Sequence, residues 1–108
     1  MKISRSFDAY QIWYYSAPQY KYNVMVQMYY NRAFVGRMLF MKEGEPIPSN
    51  YEINGSPYLH FPAKDFVPMM DLMRNEKPLF LQFMPENGIG FIATREMEPV
   101  GEYENAFS

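Results

Sequence analysis

"YNVMVQMYYNRAFVGRMLFM", residues 22–41, decides how this chain is read. In its first half Tyr22, Val24, Val26, Met28 and Tyr30 alternate with Asn23, Met25, Gln27 and Tyr29. That period of two is what a β-strand imposes on its two faces. "FVGRMLFM", residues 34–41, is apolar on both faces apart from Arg37 and reads as a central strand. The intervening "NRA", 31–33, is short enough for a hairpin, and Asn31 tolerates a positive φ.

The same period extends outward. "AYQIWYYS", residues 9–16, places Tyr10, Ile12 and Tyr14 on one face and Gln11, Trp13 and Tyr15 on the other. Pro18 then lacks a backbone donor and suits a turn. Downstream, "KEGEPIPSNYEINGSP", 42–57, reads as a long loop, and "YLHF", 58–61, as a short fourth strand. One helix follows. Asp65 is a candidate N-cap, and Pro68 falls in the first turn, where its missing N–H costs nothing. Phe66, Met69, Met70, Leu72 and Met73 make an apolar face, while Arg74 and Lys77 suit the negative end of the helix dipole before Pro78. "LFLQFM", 79–84, and "IGFIATREM", 89–97, complete the strands across the turn "PENG".

The reading is an α+β protein of order ββββαββ, one domain over residues 1–97 with an acidic, frayed tail over 98–108. Six strands at ~4.8 Å spacing span ~29 Å, whereas a helix is ~10 Å across. One helix therefore leaves apolar sheet uncovered. The expected remedy is a strongly curved antiparallel sheet together with a homodimer, with Met69, Met70 and Met73 of the helix at the subunit interface.

Composition excludes several chemistries. The 108 residues include no cysteine, which removes disulfides, thiolate metal sites and cysteine nucleophiles. His60 is the only histidine, so no metal site is expected, and it reads as a structural residue. Gly88, Gly90 and Ala93 spell G-x-G-x-x-A, but in front of a strand instead of a helix, which rejects the dinucleotide reading. Glu96, Glu98, Glu102 and Glu104 read as a solvated acidic run. No catalytic constellation emerges; the expectation is a non-enzyme without a cofactor. No apolar run approaches a membrane span and "MKISRSFDAY" lacks a leader's apolar stretch, so a cytoplasmic protein is expected, with no membrane partner.

Aromatic residues make up 19% of the chain, and charge is unevenly spread. Residues 1–42 hold Lys2, Arg5, Lys21, Arg32, Arg37 and Lys42 against Asp8 alone, while the overall net charge is −2. Rings with nearby cations are what stacking of unpaired bases requires. Trp13, Tyr15, Lys21, Arg32 and Arg37 are thus the candidate nucleic-acid-binding residues.

Four strands followed by a helix in a small aromatic-rich chain resemble the Whirly and Pur-alpha class of single-stranded-DNA-binding folds. "MMDLMRNEKPLFLQF", 69–83, and "EPVGEYE", 98–104, are similar to a group of small uncharacterised bacterial proteins associated with that fold. The resemblance implies curved sheets, helix-supported oligomers and single-stranded nucleic acid as the partner. The two strands after the helix and the acidic net charge depart from it. The competing expectation is a structural or protein-interaction subunit with the aromatic sheet buried. A third is a flat apolar ligand held in the mouth of a curled sheet.

Overall fold

The computed structural model of the chain describes residues 2–94. Eight strands and one α-helix follow in the order β1 (Ile3–Phe7), β2 (Ala9–Tyr14), β3 (Tyr22–Tyr30), β4 (Ala33–Met41), β5 (Tyr51–Ile53), β6 (Ser56–Pro62), α1 (Phe66–Asn75), β7 (Leu79–Met84), β8 (Ile89–Ala93). The α+β class holds. The order ββββαββ does not: β1 and β5 are additional, which gives ββββββαββ. "ISRSF" is too polar to announce a strand, and β5 lies within the stretch read as loop. The proposed tail, 98–108, lies outside the described residues.

The alternating stretch behaves as its pattern requires. β3 and β4 form an antiparallel hairpin closed by Asn31 and Arg32, whose φ values of 52° and 72° supply the twist that a two-residue hairpin turn needs. Two register shifts interrupt this pair, between Tyr22 and Val24 and between Met28 and Tyr29.

The single, strongly curved antiparallel sheet is corrected in two respects. The strands divide into a five-stranded sheet, β2-β3-β4-β6-β5, and a three-stranded sheet, β1-β7-β8, neither strongly curled. Within the larger sheet β6 runs parallel to β4. The chain leaving β4 passes over the end of the sheet through 42–50 and descends as β5. It then turns at Asn54 and Gly55 (φ 52° and 81°) and returns as β6 between β5 and β4. No helix crossover is needed, because the return strand is inserted next to its own hairpin partner.

Coverage of apolar surface explains the division. Val24, Val26, Met28, Met38, Phe40 and Leu59 of the large sheet pack against Phe7, Leu79, Leu81 and Phe83 of the small one and against Met70 and Met73 of α1. The second sheet and the helix together do what one helix could not. Layers meet closely at two glycines: a Cβ at Gly36 would collide with Leu81 Cδ2, and one at Gly90 with Leu59 Cδ2. Asp65 does not cap α1. Its backbone continues from the 3-10 turn Ala63–Asp65 in a helical conformation, without a side-chain cap bond.

Candidate functional site

Alternation sends every second side chain of the five-stranded sheet away from the core, and register aligns them into rows. Gln11, Gln27, Arg37, Tyr58 and Tyr51, one from each strand, are successive cross-strand partners. At ~4.8 Å per strand this row is ~19 Å long. Beside it runs Trp13, Met25, Leu39 and His60. Tyr29 and Phe34 are partners in the next row along β3 and β4.

The rings form two groups on this face. Tyr15 meets Tyr20 and Tyr22 edge-on, each with centroids 5.1 Å apart, while Tyr20 and Tyr22 stack at 5.4 Å. Across the sheet Tyr51 stacks on Tyr58 at 5.2 Å, Tyr58 lies 6.0 Å from Phe34, and Phe34 lies 6.2 Å from Tyr29. The Arg37 guanidinium bridges toward the second group, 4.7 Å from the Tyr58 centroid, a cation–π geometry. Trp13 and Tyr51 remain 40% and 45% exposed, so each offers ring surface to solvent.

Arg37 is the one charged residue at an outward strand position of this sheet, among the described residues. Burial raises the Tyr22 hydroxyl pKa, Tyr15 and Tyr20 add to the rise, and Arg37 opposes it. That phenol therefore stays neutral and able to donate near neutral pH. Burial lowers the His60 pKa, which favours the neutral imidazole. Arg37 Nε and His60 Nδ1 are buried without a hydrogen-bond partner, as is Asn23 Oδ1 on β3. Such atoms are uncommon in folded proteins, and two of the three sit on neighbouring strands of this face.

Trp13, Tyr15 and Arg37 are brought to one face, as strand parity anticipates for the first two. Lys21 and Arg32 do not form one cluster: Lys21 follows Tyr20 and precedes Tyr22, the two rings that meet Tyr15, and Arg32 lies in the β3–β4 turn. They flank opposite ends of β3, which at ~3.4 Å per residue holds them ~30 Å apart. Met70 and Met73 are buried in the core of their own chain, and Met69 packs against that core. Tyr51, Tyr58 and Phe34 were missed as members of the face. The available signal was Asn54-Gly55, the dipeptide that most strongly marks a hairpin, which pairs Tyr51 with Tyr58.

A concavity of about 830 Å³ lies between Phe7–Tyr10, Tyr30 and the end of α1. Its charges cancel, with Asp8 and Glu76 set against Arg74 and Lys77, so it selects no ligand by sign. Among the described residues no group of three or more His, Cys, Asp or Glu side chains is placed to hold a metal, and no helix is long and apolar enough to cross a membrane. No family model, curated protein or solved structure matches the chain.

Proposed function

We propose that the outward face of the five-stranded sheet binds single-stranded nucleic acid without catalysing a reaction on it. The observation that carries this reading is Trp13, 40% exposed on the same face as the cation Arg37. Bases stack on rings whatever their sequence, and a guanidinium supplies both charge and a stacking plane. Gln11 and Gln27 add amide donors and acceptors between the ring groups. Lys21 and Arg32, at the two ends of β3, extend the positive potential along a strand of phosphates.

Trp13 is the only tryptophan, so its fluorescence reports on the face directly. Titration with single-stranded oligonucleotides at low salt is expected to quench it, with affinity falling as salt rises. No quenching and no binding at tens of micromolar protein would refute the reading. Met25 and Leu39, adjacent in the Trp13 row, favour a second reading in which a protein surface docks here. That reading is separated by a partner whose binding is insensitive to salt.

A further inference from the structure

We infer that β2 is a self-association edge, and that two copies of the chain join their five-stranded sheets through it in one defined register. The inference stands apart from nucleic-acid binding and is tested separately from it.

The sheet has two edges, and they differ in how they are protected. Natural sheets blunt an edge by shortness, charge, proline or a bulge, because free N–H and C=O groups otherwise recruit another strand. β5 has three residues and carries Glu52. β2 has six, "AYQIWY", without charge, proline or register shift. Nothing blunts it.

Its hydrogen-bonding direction follows from the ladder. The Tyr15 N–H donates to the Asn23 carbonyl at 2.9 Å. Bonded residues alternate along an antiparallel strand, so Trp13 and Gln11 also point their backbone groups at β3. The N–H and C=O groups of Tyr10, Ile12 and Tyr14 therefore point along the free edge.

These three residues are self-complementary about their middle one. Antiparallel docking of a second copy with Ile12 opposite Ile12 pairs Tyr10 with the partner's Tyr14, and Tyr14 with the partner's Tyr10. All six edge groups on each strand are then used, in an isologous contact about a two-fold axis. Centring on Gln11 instead would pair only Tyr10 with Ile12 and leave Tyr14 unmatched. The symmetric register also places Trp13 beside the partner's Gln11 on the outward face, so the aromatic surface continues into a ten-stranded sheet.

Exposed apolar surface flanks the same edge. Tyr14 is 71% exposed and touches Phe66 edge-on at 5.6 Å, which brings the start of α1 under this strand. Next in sequence to Phe66 is Val67, 67% exposed. Two short strand edges alone fall toward the low end of specific interfaces, and these side chains add to them. The expected dimer is accordingly concentration-dependent.

Sedimentation velocity from micromolar to millimolar protein should show a reversible rise from 12.9 kDa to twice that mass. Tyr14→Pro removes an N–H that the monomer does not use and is tolerated on an edge strand. It should leave circular dichroism unchanged and weaken dimerisation by about thirtyfold or more, since two symmetry-related bonds are lost together with the Tyr14 ring at the contact. The chain has no cysteine, so single-cysteine variants report register without background. Oxidised Ile12→Cys should form a disulfide-linked dimer, because a residue opposite itself in a bonded antiparallel pair lies ~5.5 Å away between Cα atoms. Gln11→Cys, opposite the partner's Trp13, should not. A monomer at every concentration would overturn the inference, and so would a dimer that survives Tyr14→Pro or fails to cross-link at position 12.

Discussion

Arg37 and Tyr58 are cross-strand partners in the parallel β4–β6 pair, and the guanidinium carbon stands 4.7 Å from the centroid of the Tyr58 ring. The cation is held over a ring that Tyr51 stacks on as well. Cation–π pairs at partly exposed sites contribute ~0.5–1 kcal/mol. A double-mutant cycle of Arg37→Gln and Tyr58→Leu, followed by urea denaturation, should return a coupling energy of about that size. A coupling near zero would mean that the pair only shares space.

Truncating Trp13 to alanine should leave the fold intact, because the side chain is 40% exposed and lies on the face away from the main core. The expected effect is on ligand instead. Loss of one stacking ring costs ~1–3 kcal/mol of binding, or a fall in oligonucleotide affinity of roughly five- to 150-fold. Fluorescence anisotropy with a labelled oligonucleotide measures it, since the variant has no tryptophan. An unfolded Trp13→Ala protein would assign the ring to stability.

Gly36 is required by the contact between layers. A Cβ there would strike Leu81 Cδ2 and come within 2.8 Å of the Pro57 carbonyl oxygen. Gly36→Ala is therefore expected to destabilise by ~1–3 kcal/mol, the usual range for overpacking a core. Combined with Leu81→Ala, which vacates part of the contested space, it should cost less than the sum of the two changes. Denaturation midpoints of the single and double variants test this.

Asn50 ties three segments together. Its side-chain amide donates to the Gly88 carbonyl at 2.9 Å, and its Oδ1 accepts from the His60 N–H at 2.8 Å. It thus fastens the start of β5 to β6 and to the β7–β8 turn. Asn50→Ala should lower stability by ~1–3 kcal/mol, because the His60 N–H and the Gly88 carbonyl each lose a part-buried partner. The His60 amide should also exchange faster with deuterium, and equal exchange in both proteins would remove the proposed fastening role.

His60 supplies a pH dependence with a definite sign. Burial lowers its folded-state pKa below the ordinary 6.5, so between those two values the unfolded chain binds more protons than the folded one. Stability from this group is complete above pH 6.5 and declines as pH falls from there toward the lowered folded value. Thermal unfolding followed between pH 7 and the onset of carboxylate titration should show this decline. His60→Gln should flatten it. An unchanged slope in the variant would place the effect elsewhere.

Much of the fold was legible because it rests on local periods. Alternation in "YNVMVQMYY" and "FVGRMLFM" marks β3 and β4 wherever they lie, and Asn31 marks the turn between them. The apolar spacing from Phe66 to Met73 marks the helix in the same way. Parity also put Trp13 and Tyr15 on a common face. Asn54-Gly55 is equally local, but its hairpin signal is masked by a surrounding stretch rich in Pro, Gly and Ser.

What tertiary structure alone decided concerns distant neighbours. Period tells which side chains share a face of one strand, but not which strand lies beside it or what covers that face. "FVGRMLFM" and "LFLQFM" both announce burial; only assembly shows that Gly36 and Leu81 meet and that the sheet is covered by a second sheet. The same holds for the site. Arg37 acquires Tyr58 through a parallel pairing created by the inserted β5–β6 hairpin, a relation between residues far apart in sequence that no local pattern encodes. The chain's own alternation made the strands; the need to bury both layers of apolar surface at once chose their arrangement and left one aromatic face in solvent.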